Sequence, residues 1–528
     1  MPNSMKLGAW IDHWAELTPD KPAIIFNGKQ QSYAELAATI TGLTTVFQND
    51  LDIKEGDRVA WLGYNSPGII EALLACARLG AILVPLNWRL AIPELVRIVA
   101  DSGAGLLIVG EGHVETATAI ADELEDCRPV HNQLAPMEEQ EAGSWQCLQA
   151  LMDQLVDVGQ GSPSGSDFSE NPVLILYTSG TTGRPKGVVL TQNSLGWSAR
   201  NSIAMHGMTA EDHVLAVLPM FHAGGFNIQT LPALSVGASM TLFEGFDPGV
   251  VLAEIGSGRP TLAGLVPAQI NAMRSHPDWD DTDLSNLRCV TTGSTFVPDS
   301  CIEVWNRRGI PAIQVYGATE TCVLAIHQDC ANAETSRGSA GYAAKHCEIR
   351  IIDDNGQDVT PGVHGEILVK GPNVFKEYWR NPTATGRALR DGWFHTGDIA
   401  YQRPDGAYVI SDRKADRIIS GGENIYPAEL EAILDGHPEI IESAVIGMAE
   451  ERWGEVPVAF VVCSEDSQLD SGRVKALFEN RLARFKHPRR VMLVDSLPRN
   501  AMGKIEKFEL RKQLSQNMAM DSTKSRES

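Results

Sequence analysis

The sequence has no apolar run approaching the roughly 18–20 residues that span a bilayer. Nor does Met1–Glu16 carry a basic segment followed by an apolar core. Neither a membrane span nor a cleaved leader is expected. The nine cysteines are scattered and form no Cys-x-x-Cys pair. That excludes a zinc site of the usual spacing and a disulfide framework, and it reads as reduced thiols in a cytoplasmic compartment. Positive charge is also short. The 44 basic residues stand against 67 acidic ones, a net charge of −23. A field of that sign disfavours nucleic acid and anionic membranes as partners, yet leaves room for a local basic pocket that holds phosphates. No internal repeat is found. What remains is ordinary: 528 residues, 43% apolar and 21% charged. That is a globular chain of several domains, or one large domain with a satellite.

Short apolar runs alternate with helical patterns through the first 150 or so residues. Val59–Gly63, Ala81–Val84 and Leu106–Val109 read as strands, and Ile69–Leu79 as a helix stopped by Gly80. This order predicts parallel βαβ units. A polar Gly/Ser stretch between Asp157 and Asn171 reads as an exposed loop, and Val173–Tyr177 as the next strand. Ile349–Ile352 and Gly365–Val369, joined by polar turns, read as antiparallel strands. The apolar pattern breaks near Asp412–Asp416. The expected division is therefore a domain over 1–412, a smaller one over 413–514 and a disordered tail over 515–528.

The densest chemistry lies in Tyr177-Thr-Ser-Gly-Thr-Thr-Gly-Arg-Pro-Lys-Gly187. Gly180 and Gly183 let backbone N–H groups turn toward a ligand. The hydroxyls of Thr178, Ser179, Thr181 and Thr182 donate to phosphate oxygens, and Lys186 supplies a point charge. The spacing is not that of a Walker loop, because Gly187 rather than Ser or Thr follows the lysine. A solvated turn would be the bland alternative, but the donor density after an apolar strand argues against it.

This segment resembles the signature loop of the adenylate-forming enzymes: acyl-CoA synthetases, coumarate-type ligases, luciferases and the adenylation domains of peptide synthetases. The resemblance extends from about Trp10 to Arg511. It implies a large N-terminal domain of layered α/β sheets with a small β-barrel-like part, then a small mobile α+β domain. It also implies roles for particular residues. In Tyr316-Gly317-Ala318-Thr319-Glu320, Tyr316 stacks on adenine, Thr319 contacts the α-phosphate and Glu320 holds Mg²⁺. Asp398, closing Trp393-Phe-His-Thr-Gly-Asp398, accepts from the ribose hydroxyls, and Arg413 is a second nucleotide contact. Lys504, in Pro498-Arg-Asn-Ala-Met-Gly-Lys504, is the catalytic lysine that bridges carboxylate and α-phosphate. Lys507 stands where relatives often have Arg.

His222, in Pro219-Met-Phe-His-Ala-Gly-Gly225, flanks the acyl pocket by the same resemblance. Gly293, Ser294 and Phe296 fall near the adenine and acyl group, and the last two depart from the usual Gly-Gly-Ala-Pro. Gly421 and Gly422 line the pantetheine channel. Ala415 takes the hinge position, where relatives carry Asp or Lys. The implied reaction uses ATP, Mg²⁺ and CoA: an acid is converted to acyl-AMP with loss of pyrophosphate, then to a thioester with loss of AMP. The segments around His222 and Gly421 resemble those of fatty-acid and cinnamate-type ligases alike; a fatty or other apolar acid is the expectation, with an aryl acid of the hydroxycinnamate kind as the alternative. A luciferase-like monooxygenase and a loader of carrier proteins share the same motifs. No nucleic-acid partner is expected, and a homodimer is left open.

Overall fold

The computed structural model describes residues 6–132, 145–155, 169–178, 185–293, 297, 299–330, 333–413, 416–420, 423–450, 453–479, 481–482, 484–499 and 505–514. Internal contacts divide the chain into two compact units. The first comprises Met1–Ile349 with Leu368–His395, the second Arg350–Ile367 with Thr396–Ser528. The α/β class, with a larger N-terminal and a smaller C-terminal unit, is the one expected.

The larger unit is built on two sheets. In the seven-stranded sheet, Ile82–Pro85, Arg58–Leu62, Leu106–Val109 and Arg128–His131 run parallel. Ile82–Pro85, Leu106–Val109 and all of Arg58–Leu62 beyond its first residue are buried, which explains their unbroken apolar runs. Pro172–Thr178 joins them in parallel through Leu83 and Leu174. It then turns back, antiparallel, into Lys186–Thr191. Glu377–Tyr378 covers the far edge, pairing with Val188 and Val189. The intervening helix Pro67–Leu79 begins on a proline and ends at Gly80, whose φ of 73° closes it.

The nine-stranded sheet carries Ala312–Tyr316, Cys289–Gly293, Leu262–Gly264, His213–Ala216 and Ser239–Leu242 side by side and parallel. Its core closes around Trp305 and Trp279, whose rings meet edge to face at 5.0 Å.

In the smaller unit, Ile440–Glu450 and Gly454–Cys463 form a long antiparallel pair. Ile418–Ser420, Glu423–Ile425 and Arg490–Leu493 complete that sheet. The helix Pro427–Asp435 starts on a proline, which suits a first helical position, and buries Leu430 and Leu434. No helix among the described residues is long and apolar enough to cross a membrane. All nine cysteines are free thiols.

Candidate active site

The loop that links Thr178 to Lys186 is anchored at both ends, since these residues are cross-strand partners. Beside it, the Tyr177 hydroxyl donates to Asp101 Oδ2 at 2.6 Å, and the Trp379 ring N–H donates to the Asp101 carbonyl at 3.1 Å. Ser179, Gly180, Thr181, Thr182 and Gly183 lie outside the described residues. Lys186 is half-buried, with Nζ 5.2 Å from the centre of the Tyr378 ring. The Tyr378 hydroxyl in turn donates to Glu320 Oε1 at 2.7 Å. Two sequence-predicted residues, Lys186 and Glu320, are thus gathered around a tyrosine that the sequence did not single out.

Tyr316 ends the strand Ala312–Tyr316, and Thr319–Thr321 form a single 3-10 turn. The chain then reverses sharply. Val323 N–H donates to the Ala318 carbonyl at 2.8 Å and Ala325 N–H to that of Tyr316 at 2.9 Å. Cys322 and Val323 both take positive φ, 49° and 66°. This is costly for a β-branched residue, and such strain gathers at functional sites. Gly317 is required by the reversal: a Cβ there would stand 2.3 Å from the Val323 carbonyl carbon. Gly293 is similarly tight, its Cβ position 2.5 Å from the Val315 carbonyl oxygen. Two further groups pin the turn. Phe375 N–H donates to the Glu320 carbonyl at 2.7 Å. The fully buried Asn373 side chain donates to the carbonyls of Thr321 and Leu324 at 2.9 and 2.7 Å.

With Oε1 engaged by Tyr378, Glu320 retains Oε2 as a hard oxygen ligand. No cluster of three or more His, Cys, Asp or Glu occurs among the described residues. That donor set fits Mg²⁺, which prefers one or two carboxylates with water and substrate phosphate to an all-protein cage.

His222 belongs to a different neighbourhood. Its ring lies 4.8 Å from that of Phe221, against which Trp88 and Arg89 also pack. Burial, aided by the Arg89 charge, pushes its imidazole down to about 4, so it is neutral near pH 7. Nε2 is buried and has no partner among the described residues. Asn65, another residue the sequence did not reveal, holds this turn by donating to the Leu218 carbonyl at 3.0 Å and accepting from Met220 N–H at 2.9 Å.

A small cavity lies next to the His222 turn, lined by Leu215, Leu218, Gly224, Ile228, Gln229 and Gly264 among others. Gly264 is in register with Thr291 on the strand that ends at Gly293. In the smaller unit, Asp398 and Arg413 are cross-strand partners, so two predicted nucleotide contacts meet on one hairpin. Asp398 is buried, and its N–H donates to Thr396 Oγ1 at 3.0 Å. Ser294, Phe296, Ala415, Gly421, Gly422 and Lys504 lie outside the described residues.

Residues 11–379 match the family described as AMP-binding enzyme, and 429–504 match the AMP-binding enzyme C-terminal domain. The chain belongs to the AMP-binding enzyme family. Relatives of this AMP-binding enzyme include the indoleacetate–CoA ligase of Aromatoleum aromaticum, 45% identical over 98% of this chain and 100% of the relative. A feruloyl-CoA synthase of an Amycolatopsis species is 39% identical over 96% and 98%. Among solved structures, the O-succinylbenzoate coenzyme A synthetase of Bacillus subtilis in complex with ATP and magnesium ion superposes with a TM-score of 0.83. It is 31% identical, over 96% of this chain and 99% of that one. Within the AMP-binding enzymes, this one is an AMP-forming acid–CoA ligase.

Proposed function

We propose that this ligase activates an aromatic carboxylic acid of one or two rings, using ATP, Mg²⁺ and CoA. The observation that carries the choice of acid is the likeness to an indoleacetate–CoA ligase and a feruloyl-CoA synthase over nearly the whole chain, at 45% and 39% identity. Beside His222 the wall leaves room at Gly224, where a Cβ would come no nearer than 3.8 Å to Leu218. This reverses the order of preference that the sequence suggested, with the aryl acid now first.

In the first step the carboxylate attacks the α-phosphorus of ATP and pyrophosphate leaves. In the second the CoA thiol attacks the acyl carbon and AMP leaves. AMP is a good leaving group where oxide is not. No side chain needs to act as a covalent nucleophile; positioning and charge neutralisation carry both steps. Lys504 neutralises the approach of carboxylate and phosphate, Thr319 and Lys186 bind phosphate oxygens, and Asp398 and Arg413 hold the ribose. Gly421 and Gly422 pass the pantetheine arm, and Ala415 is the pivot between the two steps. Bound to Glu320, Mg²⁺ would screen charge on the phosphates. Free thiols at all nine cysteines support a reducing, cytoplasmic setting.

The test is pyrophosphate release across aromatic and aliphatic acids. Aryl acids of one and two rings should exceed octanoate and palmitate by at least tenfold in kcat/KM. A preference for palmitate would place the acid elsewhere. A second expectation concerns Tyr378→Phe, which removes the hydroxyl on Glu320 Oε1. A hydrogen bond to a charged group contributes about 1.5–3 kcal/mol. Half-maximal adenylation should therefore need several-fold more Mg²⁺ at little change in KM for the acid. An unmoved Mg²⁺ titration would separate Tyr378 from the metal.

A further inference from the structure

Deep in the cavity wall, the side chain of Gln229 is 4% exposed, and its Oε1 has no partner among the described residues. Its orientation is fixed by the network behind it. His206 Nδ1 lies 2.9 Å from the Ser202 carbonyl oxygen, which can only accept, so the ring proton sits on Nδ1. The Ser202 hydroxyl gives its own proton to the Ile228 carbonyl and does not compete. Burial pushes His206 down to about 3 and keeps the ring neutral. Nε2 is then a pure acceptor. It accepts from the Thr291 hydroxyl at 2.7 Å and from the Gln229 amide nitrogen at 3.3 Å.

A flipped Gln229 would set two acceptors against each other. The amide is therefore locked with its NH₂ toward His206 and its Oε1 turned away, toward Gly264 and Leu218. A Cβ at Gly264 would come within 3.4 Å of Oε1 and 3.5 Å of Leu218 Cδ1, and both residues line the cavity. Besides Thr230, whose hydroxyl donates to the Gly225 carbonyl, the wall carries a preset acceptor among apolar and glycine surfaces. With an acid seated against this wall, only the acid can supply the missing donor.

We propose that Gln229 is a specificity-determining residue of the acid pocket, selecting an aromatic acid whose ring bears an N–H or O–H donor. The proposal rests on the aromatic reading above. A ring without a donor would leave Oε1 buried and unpaired. Sites built to hydrogen-bond a substrate donor reject the analogue lacking it far more strongly than they sense one methylene.

The test compares kcat/KM in matched pairs with saturating ATP and CoA. Indole-3-acetate is set against 1-benzofuran-3-acetate, and 4-hydroxycinnamate against 4-fluorocinnamate. The donor acid should win by at least tenfold in one pair, which also tells a ring N–H from a phenol O–H. In Gln229→Leu that ratio should fall to within about threefold of one. Equal turnover within both wild-type pairs would overturn the proposal while leaving the aromatic reading intact. Equal losses for donor and donor-free acids in Gln229→Leu would also overturn it, as a packing role predicts. Turnover of aliphatic acids alone would remove the aromatic reading and this proposal together. If Gln229→Leu does not fold, the wild-type ratios still decide.

Discussion

Lys504→Ala is expected to slow acyl-adenylate formation by at least about 10²–10³-fold, the effect of removing one preorganised charge from a transition state. The family match over the C-terminal domain ends on this lysine. Two negative groups, the acid carboxylate and the α-phosphate, must approach each other in that step. A lysine brings one compact charge with three donors to the place where they meet. The thiol attack that follows begins from a neutral acyl carbon and expels an already stabilised AMP. Conversion of supplied acyl-AMP to thioester should thus change no more than a few-fold in the same variant. Single-turnover measurement of each half-reaction separates the two. Equal losses in both would deny the lysine the role given to it.

Gly317→Ala carries the second large effect. The position of the added Cβ meets backbone at three atoms, the Val323 carbonyl carbon and oxygen and the Leu324 nitrogen, at 2.3, 2.4 and 2.6 Å. No side-chain rotation relieves such contacts; the turn itself has to move. That turn already holds Cys322 and Val323 in the left-handed region, so it has little freedom left. Moving it displaces Tyr316, Thr319 and Glu320 relative to the sheet, and a misplacement of about 1 Å costs on the order of 100-fold in a positioned reaction. ATP–pyrophosphate exchange should therefore fall by at least that factor. Gly224→Ala is the contrast, because its Cβ would make only ordinary contact. It should keep exchange with a small one-ring acid and lose it selectively with larger acids. Wild-type exchange in Gly317→Ala would mean that the turn is not needed for adenylation.

Much of this was readable in the residues because the chemistry is compressed into contiguous stretches. Tyr316 to Glu320 falls on one strand end and one turn, and a local motif announces a local geometry. The parallel strands were legible because burial on both faces demands unbroken apolar runs, as at Leu106–Val109. Gly80 marked a helix end by its backbone freedom alone, whereas the helix begins at Pro67, two residues before the apolar spacing starts. What could not be read is what depends on packing between distant segments. Tyr378 reaches Glu320 across 58 residues, and only because the edge strand Glu377–Tyr378 pairs with Val188 and Val189. Asn373 clamps a turn some fifty residues upstream, and Asn65 clamps one more than 150 residues downstream. A buried Asn leaves no periodic signature. The orientation of Gln229 depends on a histidine tautomer, which follows from a carbonyl that faces it in space and from nothing in its own sequence neighbourhood.

The fate of the carboxylate oxygens distinguishes the two possible routes to the thioester. Acid labelled with ¹⁸O in both carboxylate oxygens should be turned over with ATP, Mg²⁺ and CoA, and the products read by mass spectrometry. If the carboxylate attacks the α-phosphorus, AMP carries one ¹⁸O, pyrophosphate carries none, and the thioester keeps the other. Label in orthophosphate, with ADP in place of AMP as the nucleotide product, would mean attack at the γ-phosphorus and would contradict it.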